Sequence, residues 1–244
     1  KALIGRWHGK GRQLYAITPR FAITSTPEQM AASQRLVAEH PGCFVQTHIN
    51  ENRAEIAFAR ELYPEAADYA GIYEDYGLLG QKSLLGHCIH MTKREWRAFA
   101  EHGAVAVFCP TSNLFLGSGL FDWERARREG VKVALATDIG GGTSYSMLRT
   151  MAKAYKILQL QGQSLSAFEA LPAITLGNAV ALGLDQLIGS FEPGARRAMA
   201  QRLETVRDLS EEPFVLVTLG DERNVVATYV MGERQPHASF SGAA

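Results

Sequence analysis

The sequence predicts an α/β protein in which short β-rich runs alternate with longer amphipathic ones, the pattern of βα units around a parallel sheet. Three observations carry that prediction. Five β-rich apolar runs recur, at Leu14–Phe21, Cys43–His48, Ser83–Ile89, Ala104–Cys109 and Lys132–Asp138. The stretches between them carry helix start and stop signals. Near the ends of three of these runs stand His48, His87 and Asp138. A (β/α)8 barrel of the TIM type opens all its strand ends on one face, where such side chains converge.

The elements follow in order along the chain. Leu14–Phe21 is the first strand, and the helix Thr26–Glu39 opens on a Thr-Pro start signal. Cys43–His48 is the second strand, and the helix Asn52–Leu62 after it ends before Pro64. Ser83–Ile89 leads into Lys93–His102, which stops at Gly103. Ala104–Cys109 leads to Asp122–Glu129, which stops at Gly130. Lys132–Asp138 is the fifth strand, followed by helices over Ser144–Leu160 and Ser166–Leu184. Farther on, Phe214–Asp221 and Asn224–Gly232 read as two strands joined by an Asp-containing turn, a small β appendage rather than more barrel. His237–Ala244 reads as a loose tail.

Five strands do not close an eight-stranded barrel, and the first residues read as the end of a helix. The expectation is therefore a partial barrel over residues 1–190 and a second unit over residues 191–244. The portion expected to be missing is N-terminal and holds about three strands of a ~250-residue barrel.

With 244 residues, 46% apolar side chains and no net charge, the chain can bury a sizeable core. Neutral charge argues against bulk nucleic-acid binding. No apolar run approaches the ~18 residues of a membrane span. The three cysteines, Cys43, Cys88 and Cys109, are an odd number in strand-like stretches, which suits reduced core thiols in a cytoplasm better than a disulfide framework.

Imidazole nitrogen and carboxylate oxygen are ordinary ligands for a hydrolytic zinc or iron ion, so His48, His87 and Asp138 are the candidate metal ligands. Such an ion lowers the pKa of bound water towards roughly 7 and makes hydroxide available at neutral pH. Glu51, three residues past His48, is the candidate proton carrier. Asp138 orients the hydroxide and helps protonate the leaving group. The bland alternatives are a hydrogen-bonded, half-buried His48 and a Glu51 that merely favours a helix N-terminus. His8, His40, His90, His102 and His237 read as solvent-facing or structural, although His90 follows His87 by three residues.

Gly140-Gly141-Gly142 lacks the Lys-Ser/Thr ending of a phosphate loop, and Asp138 would repel phosphate, so these glycines let the backbone turn closely around the pocket. Gly117-Ser118-Gly119 is too short for a nucleophile elbow. Cys109-Pro110 has the reverse order of the P-C-x-x-C zinc deaminase signature, which excludes that class. Arg125, Arg127 and Arg128 read as a solvated helix face.

The blocks Thr18–Ala22, Gln46–Asn52, Leu85–His87, Cys109–Leu114 and Ala136–Met147 resemble guanine deaminase of the amidohydrolase superfamily. The resemblance runs from Trp7 to about Gly194 and again from about Leu216 to Gly232. It implies hydrolysis of guanine to xanthine and ammonia, with hydroxide attacking purine C2, by a cytosolic and usually homodimeric zinc enzyme. The implied architecture is a TIM barrel with a small β-sandwich domain, of which residues 191–244 would be a remnant. His48, His87 and Asp138 become metal ligands and Glu51 the proton shuttle. Arg20 and Phe21 become substrate residues, the guanidinium donating to purine O6 and N7 and the ring stacking on the base. Asn113 and Leu114 would line the pocket.

There are two departures. The family carries a His-x-His pair at the end of its first strand, which adds further metal ligands, and this sequence holds no such pair. After Phe191–Gly194 the family continues with an acidic residue, alanine, aspartate and a strand, where Ala195-Arg196-Arg197 stands here. Two other readings stay open: an aminohydrolase of the same superfamily acting on a pterin, triazine or adenosine derivative, and a non-catalytic fragment that packs on a partner along an open sheet edge.

Overall fold

A computed structural model describes residues 1–190, 211–230 and 232–235. Its centre is a five-stranded parallel sheet whose spatial order follows the chain: β1 (Ala16–Ile17), β2 (Phe44–Ile49), β3 (Ser83–His87), β4 (Val105–Phe108) and β5 (Lys132–Leu135). The register sets Ile49 beside His87, so neighbouring strands run out at the same level. Helices flank the strands: α1 (Ala2–Trp7), α2 (Pro27–Glu39), α3 (Arg53–Leu62), α4 (Tyr69–Asp75), α5 (Lys93–His102), α6 (Pro110–Leu116), α7 (Trp123–Arg128) and α8 (Met147–Leu160). Then come α9 (Ala167–Ala173), α10 (Leu176–Leu182) and α11 (Glu211–Leu219). A small antiparallel pair follows, β6 (Tyr229–Val230) and β7 (Glu233–Arg234). This is the expected barrel arrangement of parallel strands and helices with a small β appendage.

The helix starts follow from local chemistry. The side chains of Thr26, Asn52 and Thr92 each accept a hydrogen bond from the backbone N–H three residues on, and the side-chain oxygens of Gln29, Glu55 and Glu95 accept one from the N–H of the cap residue. These capping boxes satisfy N–H groups that the first helical turn leaves without partners. The main core joins the sheet to its helices through Ile49, Leu85, Phe99, Phe108, Phe121 and Met151, with Phe108 and Phe121 stacked 4.7 Å apart. At the β5 edge, the Asn178 carboxamide accepts from Leu135 N at 2.9 Å and donates to Leu135 O at 3.0 Å, so a side chain from α10 stands in for a neighbouring strand.

Several expected boundaries are corrected. Of Leu14–Phe21 only Ala16–Ile17 pairs, because Pro19 has no N–H to give a ladder and the chain turns into a 3-10 helix at Ala22–Thr24. Ser83–Ile89 stops at His87, and Lys132–Asp138 stops at Leu135. The single helix expected over Ser166–Leu184 is broken between α9 and α10 at Thr175 (φ −124°, ψ −97°), whose hydroxyl donates to the Leu171 carbonyl at 2.9 Å.

The largest correction concerns Phe214–Asp221, expected as a strand. It lies mostly in α11, with Leu216 and Val217 buried and Phe214 edge-on to Tyr155 of α8 at 5.5 Å. A short apolar run has no diagnostic period, and packing against α8 and α9 overrides its β-branched residues. Within the second expected strand, Asn224–Gly232, Tyr229–Val230 pairs with Glu233–Arg234. The expected boundary at 190/191, the departure after Gly194 and the tail at 237–244 lie outside the described residues.

Candidate active site

Among the described residues, the non-glycine positions with left-handed backbone are Asn50 (φ 52°), His87 (φ 75°), Cys88 (φ 51°) and Asp138 (φ 48°). All stand at or just past a strand end. Each such conformation costs about 1–3 kcal/mol and persists only where the surroundings hold it. Here they do: Cys88 N donates to Ile49 O, Ile89 N and His90 N both donate to Asn50 O, and Asn50 Nδ2 donates to the buried Glu95 at 2.9 Å. Past β5, Gly142 N reaches Asp138 O at 2.5 Å, and a Cβ on Gly142 would stand 1.9 Å from Thr137 O. The close turn read into the three glycines is what the backbone does.

His87 is buried, and burial pushes its pKa below the ordinary 6.5, so it presents a neutral imidazole. Its Nδ1 lies 3.0 Å from Asn113 Nδ2, while the Asn113 Oδ1 is buried with no partner among the described residues. Turning that carboxamide over lets Oδ1 accept the Nδ1–H, satisfies the orphan, and leaves Nε2 with a free lone pair. Nε2 faces Glu51 Oε2 at 3.6 Å.

The His48 ring stacks on His87 with centroids 5.3 Å apart and planes 18° from parallel. Its Nδ1 lies 2.7 Å from the backbone oxygen of Arg20, which also accepts from Thr47 Oγ1 at 3.2 Å. A carbonyl can only accept, so His48 carries its proton on Nδ1 and turns the lone pair of Nε2 outward. Beneath them the buried Tyr73 hydroxyl donates to His48 O at 2.7 Å and accepts from Ala22 N at 3.2 Å.

His87, Cys109 and Asp138 offer ligand atoms within 4.8 Å of one another. His87, oriented through Nδ1 by Asn113, and the nearby Asp138 carboxylate are donors of the kind that hold a divalent metal ion, with the His48 ring stacked on His87 and Glu51 3.6 Å from it. Cys109 is the neighbour that sequence reasoning left in the core. Burial and the charge of Asp138 push its thiol pKa up, so it remains protonated, and its S–H points to Val107 O at 3.5 Å. A protonated thiol is a weak ligand.

The remaining candidates take up varied positions. Phe21 is tilted against the His48 ring at 5.2 Å, and the exposed Arg20 guanidinium lies over the Phe21 ring at 5.5 Å. Phe21 and Glu51 border one groove of about 470 Å³, which Ile23, Asn52 and Phe58 also line. Asn113 is buried against His87, while Leu114 beside it is 42% exposed. Of the other histidines, His102 meets Glu74 at 3.2 Å at the surface, His8 accepts from Tyr15 N, and His90 bonds the Ser118 carbonyl at 3.0 Å. Sequence reasoning missed Thr47 and Tyr73, whose hydroxyls act only through tertiary contact. The Arg20 carbonyl could not be found at all, because every residue has one.

The sequence pattern of the amidohydrolase family matches residues 2–234. The guanine deaminase of Escherichia coli (strain K12) is 49% identical over 243 residues, covering 95% of this chain and 55% of that protein. The solved E. coli guanine deaminase superposes with a TM-score of 0.92 at 48% identity, covering 96% of this chain and 57% of that one. The guanine deaminase of C. acetobutylicum, solved with guanine bound in its active site, gives a TM-score of 0.81 at 30% identity, covering 88% and 54%. The chain thus spans about half the length of the relatives it matches.

Proposed function

The chain belongs to the amidohydrolase family, and from that premise we propose that it carries out metal-dependent hydrolytic deamination of guanine to xanthine and ammonia. The observation that carries the reading is the meeting, at the ends of parallel strands, of the stacked His48 and His87 with Glu51 at 3.6 Å from His87 and Asp138 within 4.8 Å of it. The guanine deaminases of E. coli at 49% identity and of C. acetobutylicum at 30% support the choice of reaction.

His48, His87 and Asp138 would hold the ion, zinc or iron, with zinc the better match to imidazole and carboxylate donors in a hydrolase. When bound, that ion acidifies water so that a nucleophile is available near neutral pH. Glu51 takes the proton from the attacking water and delivers it to a ring nitrogen of the base. Asp138 would orient the nucleophile at C2, take its remaining proton and pass it to the departing amino group, which leaves as ammonia. Phe21 stacks on the purine while Arg20 donates to O6 and N7, which selects guanine over bases without those acceptors. Leu114 borders the mouth, and Asn113 joins the pocket through His87.

The reading extends to a cytoplasmic homodimer divided into a barrel over 1–190 and a remnant over 191–244. Three free, buried cysteines suit a reducing compartment, and no described helix is long and apolar enough to cross a membrane.

The test is guanine turnover with the zinc-loaded protein, followed as xanthine and ammonia. Arg20→Ala is expected to raise KM for guanine at least about tenfold, the loss of one charge-assisted hydrogen bond, while zinc affinity stays unchanged, because the Arg20 carbonyl that holds His48 remains. Normal guanine efficiency in Arg20→Ala would favour a different heterocycle, and absence of zinc from the purified protein would favour a non-catalytic fragment.

A further inference from the structure

We propose that the turn Gly117-Ser118-Gly119 at the end of α6 is a positioning device for Glu51, in which Ser118 holds the carboxylate and His90 holds Ser118. The inference rests on the reading of Glu51 as the proton carrier. Ser118 Oγ donates to Glu51 Oε1 at 2.9 Å, and the other carboxylate oxygen faces His87 Nε2 at 3.6 Å. The terminal torsion of a glutamate is broad and roughly two-fold, so a free carboxylate samples many orientations. One anchored oxygen selects a single orientation and leaves its twin for proton transfer.

Ser118 is itself tightly placed. It is 7% exposed, its N–H donates to Asn113 O at 2.9 Å, and its carbonyl lies 3.0 Å from His90 Nε2, which donates to it. Gly117 (φ 69°) and Gly119 (φ 132°) provide the backbone freedom, and a Cβ on Gly119 would stand 2.7 Å from Ile89 Cγ2, so a larger residue would push the turn away from the strand end. His90 meets the carbonyl of Ser118 and not its hydroxyl, so the pair lacks the base-to-hydroxyl contact of an activated nucleophile.

The same short helix reaches two other candidate groups. Asn113 meets His87, and Thr111 Oγ1 donates to Thr137 O at 3.0 Å, next to Asp138. One segment, 111–118, therefore touches the surroundings of His87, Asp138 and Glu51, and Ser118 is its contact with the proton carrier.

The experiment compares the zinc-loaded protein with Ser118→Ala, Ser118→Thr, Glu51→Gln and the Glu51→Gln/Ser118→Ala pair. Ser118→Ala is expected to lower kcat about 10- to 100-fold with KM and zinc content unchanged, and Ser118→Thr, which keeps the hydroxyl, to recover most of it. In the Glu51→Gln background the serine change is expected to cost nothing more, because the two act as a unit. A crystal structure of Ser118→Ala is expected to show the carboxylate released from His87. Parental kcat in Ser118→Ala, an equal loss in the Glu51→Gln background, or a carboxylate unmoved in that crystal structure would each overturn the proposal. A failure of the underlying reading looks different: Glu51→Gln itself would turn over at the parental rate, and the role of Ser118 would fall with it.

Discussion

His87 is 2% exposed and is met by the Asn113 side chain of α6, whereas His48, at the end of the adjacent strand, is half-buried and fixed by a backbone carbonyl from residue 20. The two rings stack, yet their supports come from opposite directions in the chain. On the His87 side the supports are buried and lie within the packed sheet-and-helix layer. On the His48 side the segment that carries Arg20 and Phe21 is itself the support, tied down by the hydroxyls of Thr47 and Tyr73. In the proposed reading, the His48 side joins substrate contact and ligand orientation in one segment, while on the His87 side Asn113 orients the ring from its buried face. A change at the His87 side should act on metal and stability together, while a change at the His48 side should also reach KM.

The sharpest break is Asn113→Leu, which removes the buried partner of His87 Nδ1 and leaves that nitrogen unsatisfied. We expect a loss of about 1–3 kcal/mol in urea unfolding and zinc affinity about 10- to 100-fold weaker in chelator competition. Tyr73→Phe keeps the ring stacked on Tyr69 but strips the hydroxyl from His48 O and Ala22 N. A smaller stability loss of about 1 kcal/mol is expected, together with both weaker zinc binding and a raised KM, the signature of the shared support. An effect on zinc alone would show that the segment around Arg20 is held independently.

The mildest change is a remote control. Asp221, hydrogen-bonded by Arg223 and facing Arg149 of α8, has its carboxyl pKa held down from an ordinary 3.8 to about 2. A depressed carboxyl contributes stability above its unfolded pKa and loses it as pH falls through the folded value. The contribution is therefore complete above pH 3.8 and disappears towards about 2. Asp221→Asn should flatten the pH dependence of unfolding in that window and leave zinc affinity untouched.

Which features were legible in the sequence follows from the range of the forces that set them. Capping residues such as Thr26 and Asn52 act over three positions, so the starts of α2 and α3 could be read directly. His48, His87 and Asp138 stood out as candidates because the end of a β-rich run in a parallel sheet points to one shared face, and the fold stacks His48 on His87 and brings Asp138 within 4.8 Å of it. Phe214–Leu219 was not, since its helical state is decided by α8 and α9 rather than by its own pattern. Cys109 read correctly as a buried thiol, but its closeness to Asp138 arises from two strands brought together by the sheet. Ser118 and His90 stood in the sequence as a discarded motif and a spare histidine, and only the fold brings them to Glu51.

Zinc-edge anomalous diffraction on the metal-loaded protein tests the central claim most directly. The account predicts one ion within about 2.0–2.2 Å of a nitrogen of His48, a nitrogen of His87 and a carboxylate oxygen of Asp138, with Glu51 beside it and outside its ligand sphere. An ion bound elsewhere, or one that leaves His48 and Asp138 uncoordinated, would contradict it.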